Sequence, residues 1–235
     1  PVDGKIYIYS HCEPFFCHRW FPCFDQPSVR AEVTMEVMAP DESWQIISNA
    51  EVASKEKVTG SEVFKDLGDS DFWLTKFEVG PNISSYIYNL CAGQFEVIHP
   101  KMKTRVPMKI YLRKSKETQI DAEEFFRVVD SGIGFYEKYT GTKYPWAKYD
   151  QIFCPDFRIG AMENVGAVTF NDMAFLKPAD QRTAWSKLVL HYVALHELAH
   201  MWFGDLVTMV WWTDLWLKES FADFMAATCL QKNPE

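Results

Sequence analysis

Hydrophobic and polar residues alternate along much of the first hundred positions. Ala31, Val33, Met35 and Val37 alternate with Glu32, Thr34 and Glu36, and Trp73, Thr75, Phe77 and Val79 repeat the period of two. Successive side chains of a strand face opposite sides, so the pattern predicts antiparallel sheet with one covered face. A polar, proline-containing stretch from His99 to Arg105 precedes a further strand pattern at Val106, Met108, Ile110 and Leu112. A domain boundary is expected there, dividing 1–104 from 105–235. Beyond it the period lengthens. Phe125, Val129, Ile133 and Tyr136 predict a helix entered near Asp121 and stopped at Gly141. A short strand around Tyr149 to Cys154 follows, and then two more helices. Strands first and helices later predict an α+β fold, an antiparallel β-domain followed by a helical one.

The first of those two helices carries Val189, Val193, His196, His200 and Phe203 in one stripe, with Gly204 as its stop. Residues 196–200 read His-Glu-Leu-Ala-His. Positions i and i+4 share a helix face, so His196 and His200 can offer ring nitrogens to one ion. Glu197 lies about a quarter turn round, too far to ligate but near enough to touch a water on the metal. Two histidines bracketing a glutamate on an apolar face are hard to explain as packing alone. The second helix is expected to run from about Leu215 towards Leu230, capped by Thr213 or Asp214. Leu215, Glu219, Ala222 and Ala226 share one of its faces, and the alanines permit close approach. Glu219 is the favoured third ligand, with Asp205, Asp214 and Asp223 as rivals. Two His, one carboxylate and one open position is the catalytic zinc arrangement.

Composition limits the classes without choosing among them. In 235 residues, 48% are apolar and 16% aromatic, which indicates a globular chain with one large core or two modest ones. No apolar run approaches a membrane span, and no signal peptide is visible in a sequence that opens at Pro1-Val2-Asp3 as if inside a domain. A net charge of −8 argues against nucleic-acid binding and suits a site that attracts cations. Six cysteines without a C-x-x-C pair lean towards a cytoplasmic setting. His11, Cys12, Cys17, His18 and Cys23 lie close in sequence but match no structural zinc spacing.

Residues 160–164 are Gly-Ala-Met-Glu-Asn. The alternation after Gly166 suggests an edge strand near the zinc helix, to which a peptide could add as a further strand. Gly160 would allow close backbone approach, and Glu163 would project where the end of a substrate could meet it.

Taken together, Gly160 to Asn164, His196 to His200 and a glutamate nineteen residues later resemble the M1 family of zinc aminopeptidases. Phe21-Pro-Cys-Phe-Asp-Gln-Pro27, Trp202-Phe-Gly-Asp-Leu-Val-Thr208 and Trp216-Leu-Lys-Glu-Ser-Phe-Ala222 extend the resemblance through nearly the whole chain. It implies the end of a saddle-like β-domain and the start of a thermolysin-like catalytic domain. It implies one zinc ion held by His196, His200 and Glu219, with Glu197 as general base and acid. Glu163 and Glu13 would bind the free α-amino group of a peptide. Gly160 and Ala161 would line the scissile backbone, Met162 would shape the first side-chain pocket, and Asn164 completes the substrate-binding set. Glu13 fits the family pattern, whereas His11 stands where a glutamine is usual.

The expected reaction is removal of single N-terminal residues from peptides. The family's oxyanion-stabilising tyrosine lies beyond the third zinc ligand, past Glu235, so these residues are expected to be an internal fragment with poor activity alone. Other readings are a zinc endopeptidase, an epoxide hydrolase of the same family and a catalytically silent scaffold. The first has no need of Glu163, and the second has Gly-Gly in place of Gly160-Ala161.

Overall fold

The computed structural model describes residues 3–233. Its first part is built from β1 (Tyr7–Tyr9), β2 (Arg30–Ala31), β3 (Glu36–Ala39), β4 (Gln45–Ser48), β5 (Val52–Thr59), the single turn α1 (Gly60–Val63), β6 (Asp71–Phe77), β7 (Ile83–Ser84) and β8 (Leu90–Gly93). All pairings among these strands are antiparallel, in sheets ordered β1-β8-β4, β3-β6-β5 and β2-β7. The alternating run 31–37 is not one strand. It begins in β2 against β7 and ends in β3 against β6, with 32–35 between them unassigned. Its facing is as expected from Val33 onward, since Val33, Met35 and Val37 are half-buried while Glu32, Thr34 and Glu36 are exposed, but Ala31, expected on the covered face, is exposed. Val79 falls outside β6 and is exposed, because the strand ends at Phe77.

The second part contains β9 (Glu96–Ile98), β10 (Ile110–Leu112), α2 (Ala122–Thr140), β11 (Asp150–Cys154), β12 (Ala161–Met162), β13 (Ala167–Asn171), the short α3 (Asp172–Phe175), α4 (Ala184–His200) and α5 (Leu215–Lys232). The five strands form one mixed sheet, ordered β12-β13-β11-β10-β9, with parallel pairs inside and antiparallel pairs at both edges. The boundary expected at 104/105 falls between β9 and β10, which pair with each other. α2 starts where Asp121 accepts a hydrogen bond from the Glu124 amide at 3.1 Å and ends at Gly141, whose φ of 72° suits glycine. Its stripe of Phe125, Val129, Ile133 and Tyr136 is fully buried.

Every residue of β11 is buried, because both faces of the sheet are covered. Phe153 and Tyr149 pack on one side with α2, α4 and α5. Ile152 and Cys154 pack on the other with Tyr86, Ile87 and Cys91 of the first part. The two halves are also joined by buried polar groups. The Asn49 amide donates to the carbonyls of Ile87 and Val165, both at 2.9 Å, and its oxygen accepts from the Asn89 amide at 2.9 Å. Arg30 donates to the carbonyls of Asp205, at 2.5 Å, and Leu206, at 3.1 Å. Replacing Asn49 with alanine would strand three buried backbone groups. We expect a loss of about 2–3 kcal/mol, read as a lower denaturant midpoint with unchanged slope.

Three details of the helical half differ from the sequence reading. The edge strand is β12, within the Gly-Ala-Met-Glu-Asn segment, while β13 after Gly166 is interior. α4 ends at His200, before Gly204. The deepest side of α4 carries Leu190, Ala194, Glu197 and Leu198, whereas Val189, Val193 and His196 are half-buried. The cause is its neighbours: α2 and the sheet cover one side, and α5 covers only part of the other.

Candidate metal and amine-binding site

α4 and α5 are the most extensively packed pair of helices, and His196, His200 and Glu219 face one another across their contact. The two His Nε2 atoms lie 3.0 Å apart. Glu219 Oε2 is 3.2 Å from His196 Nε2 and 3.5 Å from His200 Nε2. Close approach of the helices rests on Ala222 and Ala226, both fully buried. Gly204 helps as well, since a Cβ there would sit 3.3 Å from both His200 Nδ1 and Lys218 Cδ.

The remaining ring nitrogens determine what the cluster can hold. His200 Nδ1 lies 2.9 Å from the Phe203 carbonyl, which can only accept, so that nitrogen carries the proton. His196 Nδ1 lies 2.8 Å from Asp223, which also accepts from Tyr192 at 2.9 Å. Both Nε2 atoms therefore present lone pairs to each other and to a carboxylate. Such a trio repels itself unless a cation lies between, and two imidazoles with one carboxylate suit a zinc-type ion. Burial would lower the His196 pKa. The contact with Glu219 and the charges of Glu197, Glu219 and Asp223 outweigh burial and push it up to about 9, so without a metal the space between the donors draws a proton, which a bound cation would displace. Of the rival carboxylates, Asp223 supports a ring from behind, Asp214 is exposed at the start of α5, and Asp205 is buried with both oxygens unpartnered among the described residues.

Glu197 is only 5% exposed, and its Oε2 has no partner among the described residues. Burial pushes its carboxyl well up, with Glu163 and Glu219 adding to the effect against His196 and Lys218. An unpartnered, hard-to-ionise carboxyl beside a cation site is suited to taking and returning a proton.

Lys218 was not singled out by the sequence reading. Its side chain is 3% exposed, and its ammonium ion-pairs with Glu13 at 2.7 Å, Glu219 at 2.5 Å and Glu163. Three carboxylates from three separate elements thus converge on one cation, which also lies over the Tyr86 ring at 5.6 Å. Glu163 is as buried as the lysine. Burial would raise its pKa, but Lys218 and His200 hold it below the usual carboxylate range. Glu13, more weakly compensated, is pushed up to about 7 by burial and by Glu163. The i, i+4, i+7 spacing of Lys218, Ala222 and Met225 is the signal that could have placed the lysine on the buried face.

Gly160 is exposed, while Ala161 and Met162 form the edge strand β12, with Met162 buried. Asn164 is buried and donates to Thr169 Oγ1 at 3.3 Å, inside the sheet. His11 is half-buried, its Nδ1 is unpartnered, and burial lowers its pKa against the pull of Glu163. The cluster of His11, Cys12, Cys17, His18 and Cys23 does not form a metal-holding group among the described residues.

Comparison with known proteins places this arrangement. The Peptidase M1 N-terminal domain matches residues 3–87, and the Peptidase family M1 domain matches residues 109–235. Over 237 aligned residues the chain is 40% identical to aminopeptidase N of Streptomyces lividans, covering 100% of this chain and 26% of that protein. It is 37% identical to the puromycin-sensitive aminopeptidase of Caenorhabditis elegans, over 94% of this chain and 22% of that one. It is 34% identical to glutamyl aminopeptidase of Bos taurus, over 90% and 21%. The chain thus spans about a quarter of the length of the curated relatives it matches. With both family domains matched in order along it, the chain belongs to peptidase family M1.

Proposed function

We propose that this chain carries the metal and amine-binding core of a zinc-dependent aminopeptidase that removes single N-terminal residues from peptides. Residues 1–104 are read as the C-terminal part of a saddle-like β-domain, and 105–235 as the N-terminal part of a thermolysin-like catalytic domain. The observation that carries the reading is the pair Glu13 and Glu163, each paired through one oxygen with the Lys218 ammonium beside His196, His200 and Glu219, so that the second oxygens are left to accept from a substrate amine. An endopeptidase has no use for an ammonium anchor at that distance from its metal. The intact donor set speaks against a silent scaffold.

His196, His200 and Glu219 would hold one zinc ion, which when bound supplies Lewis-acid activation of water and carbonyl. Glu197 takes the proton from the attacking water and returns it to the leaving amine. Glu163 and Glu13 accept hydrogen bonds from the substrate's α-ammonium, which fixes cleavage one residue in. The exposed Gly160 and the edge strand β12 offer backbone to the peptide by strand addition, and Met162 borders the first side chain.

The test is Glu163→Ala. Losing one charged partner of the ammonium is expected to lower kcat/KM on amino-acid arylamides by about 10–100-fold, with zinc content unchanged. An N-acetylated peptide should resist cleavage by the parent. Equal activity in the variant, or cleavage of blocked peptides, overturns the assignment.

A further inference from the structure

Beside the amine anchor lies a second concavity, with a volume of about 650 Å³. Two segments form much of it: His11–Cys12, adjoining Glu13, and Phe157–Ile159, adjoining Gly160. These segments lead into Glu13 and Glu163, so the cavity begins one residue before Glu13 on one side and four residues before Glu163 on the other. His11 joins the two regions, since it lines the cavity and also feels the charges of Glu163 and Lys218. The walls are largely aromatic. The Tyr9 and Phe157 rings meet edge to face at 5.5 Å, and the His11 ring meets Phe157 at 5.9 Å.

Two arginines, Arg19 and Arg158, line this cavity, and no Asp or Glu does. Arg30, Arg105, Arg113 and Arg182 use their guanidinium groups in hydrogen bonds or ion pairs, and Arg127, on α2 away from this cavity, has no such partner among the described residues. Arg19 and Arg158 have no such partner among the described residues. The Arg19 guanidinium carbon lies over the Phe16 ring at 4.7 Å, a contact that does not use its N–H donors in a hydrogen bond. In a chain of net charge −8, two free guanidinium groups on one aromatic cavity select against cations and for an anion with a flat or apolar stem.

We propose that this cavity is an anion subsite, taking a carboxylate of the bound peptide between Arg19 and Arg158. The proposal rests on the aminopeptidase reading for the placement of the peptide. Two sources share the chemistry: an acidic side chain on the N-terminal residue, or a carboxylate further along the peptide. Both guanidinium groups are accessible to solvent, so the pairing is of moderate strength and sensitive to salt.

The experiment uses the full-length protein and its Arg19→Gln, Arg158→Gln and double variants. Peptide pairs differ only as Glu against Gln, at position one in one set and at position two in the other. In the double variant, kcat/KM for the glutamate member of one set should fall about tenfold, mainly through KM, and should do so less in high salt. The glutamine members should stay within about twofold. Loss confined to the first set assigns the cavity to the N-terminal side chain, and loss confined to the second assigns it to a downstream carboxylate. Equal changes for Glu and Gln peptides, or none, overturn the subsite while leaving the aminopeptidase reading in place. If no peptide is cleaved by the parent, that reading fails by itself. The subsite is then judged by calorimetric binding of the same peptides, where absence of a Glu preference overturns it.

Discussion

Glutamine at position 197 is expected to reduce peptide hydrolysis by about 10²–10⁴-fold in the full-length protein while the bound metal is retained. The substitution is nearly isosteric, and burial already disfavours the charged carboxylate, so a neutral amide should fit without loss of stability. What the amide cannot do is accept a proton from water and hand it on. Glu197 makes no hydrogen bond to His196 or His200 among the described residues, and both rings keep their supports at Asp223 and the Phe203 carbonyl in the variant. The checks are an arylamide assay, metal content by mass spectrometry and thermal unfolding on the same preparation. In the parent, kcat/KM should fall with decreasing pH as Glu197 becomes protonated, because a base raised in pKa is lost first on the acid side. That limb should be missing from the residual activity of the variant. Activity within tenfold of the parent, at full metal occupancy, would remove Glu197 from the proton transfer.

The elements most legible in the sequence were those whose local and tertiary demands agree. α2 has a capping aspartate, a four-residue apolar period and a terminal glycine, and each acts as its chemistry suggests. The alternation 31–37 gave the facing of side chains but not the pairing, because period two is blind to which strand lies alongside. β13 was read as an edge for a related reason. A strand buried on both faces and flanked by glycine and asparagine looks much like one that ends a sheet, and only the return of 161–162 against it makes it interior.

The metal donors were legible because their spacing is imposed by helix geometry itself. The support around them was not. Asp223 is four residues beyond Glu219 and shares its side of α5, yet nothing local says that it backs His196 instead of ligating beside it. Lys218 was concealed by the usual rule that lysines are solvated, which fails when distant Glu13 and Glu163 join the neighbouring Glu219 around the ammonium. Glu13 lies 150 residues from Glu163, and only the packing of the first sheets on the second brings them within one cluster.

Lys218→Met is therefore expected to be severe, costing about 3–5 kcal/mol of folding stability, because it leaves three converging carboxylates without their shared cation. Methionine keeps the length and apolar stem of lysine, so the effect isolates the charge from the packing. Arginine should not rescue it: the planar guanidinium is larger, and the contact of Gly204 with Lys218 Cδ leaves little room. The partners supply the internal control. In Lys218→Met, adding Glu163→Gln removes one of the orphaned charges, and part of the lost stability should return, although amine binding should not. A purely steric role would give the opposite pattern, with the two losses adding. Chemical denaturation of the parent, both single variants and the double variant measures the coupling directly. A coupling below about 0.5 kcal/mol would show that the lysine fills space and does not hold the glutamates together. A larger one makes Lys218 the tie between Glu13 in the turn after β1, Glu163 beside the edge strand and the third metal donor. The site would then depend on one buried cation for bringing its amine anchor and its metal group together.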